Sequence, residues 1–172
     1  MPELTRLKEK LTKLRLKAML NNLDSVKKQT AEKNLDPWTA LSILADHEIE
    51  QRWQNSIALR WRQSKLGERV TIDQFNFDHH KSRKEQKARI LNMMTLEFVQ
   101  ERMDVILIGT PGTGKTFLAK AVTTAACNNN IKVLFTTAID MINHLIAAEA
   151  DHSLLKKLAF YQSPDILVCD KC

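Results

Sequence analysis

Eight consecutive residues, Gly109-Thr110-Pro111-Gly112-Thr113-Gly114-Lys115-Thr116, have the types and spacing of a loop that cradles phosphate. They fit G-x-x-x-x-G-K-[ST] at every position. Glycine lets the backbone take positive φ and approach a ligand closely, and successive amide N–H groups then share one concavity with the positive end of the following helix. Lys115 would bring a full charge to the β- and γ-phosphates, and the Thr116 hydroxyl would ligate Mg²⁺. Three of the chain's four glycines lie in this loop, the fourth being Gly67. The plain alternative, a glycine turn with no ligand, is opposed by the flanks, which read as a strand before and a helix after. A second chemical signal comes downstream at Ile166-Leu167-Val168-Cys169-Asp170, four apolar residues ending in a carboxylate. There Asp170 would hold Mg²⁺ through a water or through a hydrogen bond to Thr116.

These residues need a strand, a turn and a helix to position them. Val105-Ile106-Leu107-Ile108 predicts a buried strand entering the loop, and Phe117-Leu118-Ala119-Lys120-Ala121-Val122 predicts the helix leaving it. Lys132–Thr137 and Ile166–Asp170 predict two further strands. Ile139, Ile142, Leu145 and Ile146 predict a helix between them, and Leu154, Leu155 and Leu158 another. Asn128–Asn130 reads as a turn, and Ser163-Pro164 as a break. The alternation predicts an α/β fold, an incomplete P-loop NTPase parallel sheet with covering helices over residues 104–172. Before it, residues 1–103 read as a helical N-terminal domain.

In that first part, Leu4, Leu7, Leu11, Leu14 and Ala18 recur at helical steps and predict one helix over 3–28. Arg6, Lys8, Lys10, Lys13, Arg15 and Lys17 cover much of its remaining surface. Such a basic amphipathic helix can lie on DNA, a membrane surface or a partner protein, or can pack on a core with a solvated outer face. Asp36-Pro37 opens a second helix, as cap and first turn, which runs through Leu44, Glu48, Arg52 and Ile57 to a stop at Gly67. Its later half interleaves Trp53 and Trp61 with Arg52, Arg60, Arg62 and Lys65. The favoured reading has both tryptophans buried and the arginines exposed. Val70–Asp78 alternates apolar residues and predicts extended chain. Lys81–Met103 predicts a basic helix with Ile90, Leu91, Met94 and Phe98 facing inward. His47, His79 and His80 have no ligand spacing with any cysteine, and Cys169-x-x-Cys172 has no second cluster, so neither predicts a metal or redox site.

A chain of 172 residues with 44% hydrophobic and 27% charged residues has the composition of a soluble globular protein. No apolar run approaches the ~20 residues of a membrane span. The first residues are polar and carry no secretory signal, and an odd count of three cysteines does not suggest a disulfide framework. These features predict a cytoplasmic protein. The net charge of +6 lies wholly within residues 1–103, with 20 Lys/Arg against 14 Asp/Glu; residues 104–172 hold 6 of each. That asymmetry favours an anionic partner, double-stranded DNA first, through Arg6, Lys10, Lys13, Arg52, Arg60, Arg62 and Lys65. Solvated helix faces are the alternative left open.

Taken in order, several stretches resemble the IstB-like transposition-helper ATPases, relatives of the DnaC-type helicase loaders in the AAA+ class. They are Leu14-Arg15-Leu16 with Met19, Glu48 with Arg52, Asp73-Gln74-Phe75-Asn76-Phe77-Asp78, the Gly109–Thr116 loop with Phe117-Leu118-Ala119, and the Asp165–Asp170 strand. The resemblance implies a protein that binds ATP and Mg²⁺, self-associates on DNA and directs a transposase to its target. It carries over Gly109, Gly112, Gly114, Lys115, Thr116 and Asp170. One position departs: the family places an acidic residue after the Walker B aspartate, to orient the attacking water, and here Lys171 stands there. The family's sensor and arginine finger would lie beyond Cys172, so the chain reads as an N-terminal fragment that binds ATP without turning it over.

Two neighbouring readings and one from another class compete. A replicative helicase loader shares the ATPase core, and a remnant that only binds DNA or a partner would need no catalysis. A small metabolic P-loop kinase would not need a basic helical segment of a hundred residues before its loop.

Overall fold

The amide N–H groups at the start of a helix find no partner inside it, and how each is satisfied decides several turns of this chain. The structure, a computed structural model, describes residues 2–171. It packs as two compact units, Met1–Ser56 and Ile57–Cys172.

The first unit holds α1 (Pro2–Lys13), α2 (Lys17–Lys33) and the larger part of α3 (Pro37–Ser64). Asp36 caps α3 as its sequence position predicts: Oδ1 accepts from the N–H of Trp38 at 2.9 Å and of Thr39 at 3.1 Å. The single helix predicted over 3–28 is two helices. Arg15 enters the left-handed region at φ 57°, and the Leu16 N–H turns back to the Leu11 carbonyl at 3.0 Å. Lys8 then meets Asp24 at 2.8 Å across the helix pair. The cause of the break sits on α3. Glu48 Oε2 accepts from the N–H groups of Ala18 at 2.8 Å and Met19 at 3.3 Å, while Arg52 Nε holds Oε1 at 2.9 Å. A carboxylate there also meets the positive end of α2. Leu11, Leu23, Val26 and Leu44 close the core around this contact.

The second unit begins with the end of α3 and continues through two 3₁₀ turns, Ile72–Gln74 and Phe77–His79. Three short helices follow, α4 (Lys81–Glu85), α5 (Lys87–Met93) and α6 (Glu97–Gln100). The rest is α7 (Lys115–Asn128), β1 (Val133–Thr137), α8 (Ala138–Ala150), α9 (Leu154–Gln162) and β2 (Ile166–Asp170). β1 and β2 pair in parallel from Val133 opposite Ile166 to Thr137 opposite Asp170. Helices α8 and α9 make the crossover that parallel pairing requires. Trp61, Leu96, Val122, Ala126, Cys127, Val133 and Ile166 form one core. Burial pushes the Cys127 thiol up, which keeps it protonated and a packing residue. Because Trp61 and Leu96 share that core with α7 and the strands, the packing divides inside α3 at Ser56/Ile57, whereas the sequence suggested 103/104.

Four further expectations change. Val70–Asp78 is not extended: the Thr71 N–H binds Gln74 Oε1 at 3.1 Å and the Asp78 N–H binds Asn76 Oδ1 at 2.9 Å, and these local bonds close turns. Lys81–Met103 is three helices: one break falls at Gln86, and the other where Leu96 takes φ 65° and buries itself in the core; Leu91 is exposed. Trp53 is 44% exposed, while Trp61 is buried. Val105–Ile108 is not a strand, and Ile108 is 91% exposed. Among the described residues the sheet holds β1 and β2 alone, so this run lacks the neighbour whose N–H and C=O groups would make it a strand.

The Glu48 contact carries a pH signature. The Arg52 hydrogen bond, helped by the two amides and opposed by burial, holds the Glu48 carboxyl below its usual value. A depressed carboxyl adds stability above its unfolded-state pKa, and that stability is lost as pH falls through the folded value. Glu48→Gln should therefore melt several degrees below wild type at neutral pH, with the gap closing as pH is lowered through the carboxylate range. Thermal melts at stepped pH check this, and a gap of constant size would count against it.

Candidate nucleotide site

Helix α7 is held from almost every side, with Leu118, Ala121, Val122, Thr123, Thr124, Ala126 and Cys127 buried. Its first turn is therefore a fixed platform, and Gly109–Thr116 is the loop that reaches it. Gly112 and Gly114 take φ 81° and 93°, which L side chains avoid. Residues 110–113 form a turn, and among the described residues no backbone N–H from Gly112 to Phe117 makes a hydrogen bond of ordinary geometry to a protein group; the first bond of the helix is Leu118 N–H to the Gly114 carbonyl, at 2.9 Å. A run of free donors at a helix N-terminus is what a phosphate requires.

Lys115 Nζ reaches back to the carbonyls of Gly109 and Thr110, 2.9 Å to each. Thr113 Oγ1 donates to the Thr110 carbonyl at 2.9 Å and braces the rim of the loop. Thr116 Oγ1 lies 3.2 Å from Asp170 Oδ1. The β1–β2 register brings Asp170 to the carboxyl end of the sheet, so residues 54 apart in sequence converge beside Lys115. The loop, Thr116 and Asp170 line a cleft of about 1320 Å³. A hydroxyl and a carboxylate are hard oxygen donors of the kind magnesium takes. Among the described residues no group of three His, Cys, Asp or Glu could hold a metal ion, so Mg²⁺ here would complete its shell with phosphate oxygens and water. Lys171 is exposed beside Asp170; Cys172, the second cysteine of the C-x-x-C spacing, lies outside the described residues.

Two groups at the loop were not picked out from sequence as site residues. Arg83 of α4 donates Nε to the Thr113 carbonyl at 3.0 Å and Nη2 to the Gly112 carbonyl at 2.9 Å. Phe75 is buried under it, and a Cβ placed on Gly114 would come within 2.6 Å of the Phe75 ring. Phe75 stood in the family-like stretch, but Arg83 sits in a run of basic residues where no spacing sets it apart.

The seven basic residues expected to meet DNA divide. Arg6, Lys10 and Lys13 are exposed at helical spacing on one face of α1, and Arg62 is exposed. Arg52 is tied to Glu48. Arg60 Nε donates to the Asn130 carbonyl at 3.0 Å and to its side chain at 3.1 Å, and Lys65 lies 5.2 Å over the Phe160 ring. No described helix is long and apolar enough to cross a membrane.

A family model described as IstB-like ATP binding protein matches residues 9–172. A Geobacillus stearothermophilus protein named for ATP binding and for insertion sequence IS5376 is 31% identical over 96% of this chain and 65% of its own length. A Bacillus thuringiensis relative named for insertion sequence IS232 is 27% identical, over 92% of this chain and 62% of its own. One from Pseudomonas aeruginosa, named for IS21, is 28% identical over 94% of this chain and 60% of its own. The chain thus spans less than two thirds of the length of these relatives.

The geometry predicts a sharp contrast between glycines. Gly114→Ala forces a side chain into positive φ and onto Phe75, and should cost ~1–2 kcal/mol or more of stability. Gly67→Ala meets no atom within 4 Å and should be nearly neutral. Denaturant unfolding of both variants reads the difference; equal midpoints would show that the loop does not need Gly114.

Proposed function

This chain belongs to the IstB-like ATP-binding protein family, and from that premise we propose that it serves as an ATP-binding helper of insertion-sequence transposition. In this reading it binds MgATP at Gly109–Thr116, lies on double-stranded DNA through basic helices, associates with further copies of itself and directs a transposase to its target. The observation that carries the reading is the Thr116–Asp170 pair at 3.2 Å beside a helix N-terminus whose amides are free. Mg²⁺ in that place would neutralise phosphate charge. The residues themselves bind and orient: Lys115 supplies the loop's one cationic side chain, Gly112 and Gly114 allow the backbone to face the phosphates, and Asp170 fixes the Thr116 hydroxyl. Lys171 follows Asp170 where the family places a carboxylate, which favours nucleotide binding over rapid turnover, since an ammonium group cannot accept a proton from water at neutral pH.

For DNA the supporting feature is the face of α1. Arg6, Lys10 and Lys13 are exposed, and none makes an ion pair among the described residues. A relative's named link to an insertion sequence supplies the context, and the transposase and the assembly of copies follow from the family resemblance.

Two measurements test this. Lys115→Ala should weaken MgATP binding at least about tenfold with the fold retained, read by calorimetry and circular dichroism; unchanged affinity would reduce the loop to a turn. Duplex DNA should bind with little sequence preference and steep salt dependence. Reversing Arg6, Lys10 and Lys13 to Glu should flatten that salt slope, and an unaltered slope would remove α1 from the interface.

A further inference from the structure

A phosphate loop needs its peptide groups turned the right way before any ligand arrives. In a trans peptide the C=O of one residue and the N–H of the next point to opposite sides of one plane. Fixing a carbonyl on the outside of the loop therefore fixes the following N–H on the inside. The two carbonyls fixed in this way are those of Gly112 and Thr113, and the group that fixes both is the Arg83 guanidinium, by Nη2 at 2.9 Å and Nε at 3.0 Å. Their partners across the peptide planes are the N–H groups of Thr113 and Gly114, neither of which makes a hydrogen bond of ordinary geometry to a protein acceptor.

Arg83 is itself held. Nη1 donates to the Asn76 carbonyl at 3.1 Å, and the guanidinium lies 4.6 Å from the Phe75 ring centroid. Phe75 is flanked by Phe77 at 5.1 Å and Phe117 at 5.4 Å. The first turn of α4, which carries Arg83, is set by His80, whose Nδ1 accepts the Ser82 N–H at 3.2 Å. Each of the three nitrogens of the fork thus donates to a backbone carbonyl, two of them in the loop.

We propose that Arg83 is a positioning residue for phosphate binding, acting from behind the loop by holding the Gly112 and Thr113 peptides with their N–H groups turned inward. This rests on the reading of Gly109–Thr116 as the nucleotide site. The role needs the planar fork, because three carbonyls in fixed directions are matched by a guanidinium and not by an ammonium group. A cation acting by charge alone would be replaceable by lysine.

The test measures MgATP affinity for wild type, Arg83→Lys, Arg83→Ala and Lys115→Ala, with circular dichroism on each. Both Arg83 variants should bind about tenfold more weakly. Millimolar guanidinium, far below denaturing concentrations, should restore part of the affinity of Arg83→Ala and none of that of Lys115→Ala. Wild-type affinity in Arg83→Lys would overturn the proposal, as would failure of guanidinium to rescue a folded Arg83→Ala. If Arg83→Ala does not fold, Arg83→Lys carries the test, since it keeps the charge and an aliphatic stem over Phe75. Loss of binding in Lys115→Ala with both Arg83 variants unaffected would overturn this inference alone; retained binding in Lys115→Ala would bring down the nucleotide reading itself.

Discussion

A backbone that binds an anion must leave a run of amide N–H groups unbonded, and an unbonded amide is stable only where something else holds the chain in place. That constraint governs the larger unit. Helix α7 gives up almost its whole surface to the core so that its first turn can stay open. The loop before it is braced inside by Lys115 and Thr113 and outside by Arg83. Gly114 is where these demands meet. Its φ of 93° starts the helix, and its missing side chain leaves the space that the Phe75 ring occupies. Loop, helix and the turn at Phe75 are in this sense one structural decision.

The smaller unit meets the same problem with the opposite solution. At the start of α2 the open amides are satisfied by Glu48, thirty residues away from Ala18, rather than left for a ligand. Capping from a distance ties α2 to α3 and permits the reversal at Arg15. Glu48 and Arg52 are thus a folding device in this unit, and Arg52's hydrogen bond to Glu48 is part of it. The two helix starts show how one rule leaves an open run of amides in one place and makes a packing contact in another.

What was legible in the sequence follows from whether the determining interactions were local. The P-loop, the Asp36 cap, the two strands at 133–137 and 166–170, and the helices between them all rest on spacing within a few residues. Their patterns could be read directly. The break at Leu14–Leu16 contains neither Gly nor Pro, and a helical stripe runs through it without a fault; only Glu48, distant in sequence, makes it a turn. Leu96 likewise breaks a basic helix because its side chain is worth more in the core than the left-handed backbone costs: burial of a leucine is worth ~1.5–3 kcal/mol against ~1–2 for the strain. Val105–Ile108 shows the converse. An apolar run reads as a strand, but strandhood depends on a neighbour, and among the described residues none pairs with it.

The same sorting applies to charge. A sequence counts every arginine alike, and the reading placed seven basic residues on one prospective surface. In the structure an arginine whose fork already serves a carbonyl keeps its charge but has fewer donors left for phosphate oxygens. Arg60 and Arg83 are of that kind, both bonded to backbone within their own unit. Arg6, Lys10 and Lys13 are not, and their spacing along α1 sets them on one side of a helix whose other side carries Leu11 into the core. A phosphate backbone presents a row of acceptors and no sequence, so the groups suited to it are free donors on a rigid row. In the proposed function α1 is therefore the row offered to DNA, while Arg60 and Arg83 serve the backbone of their own unit.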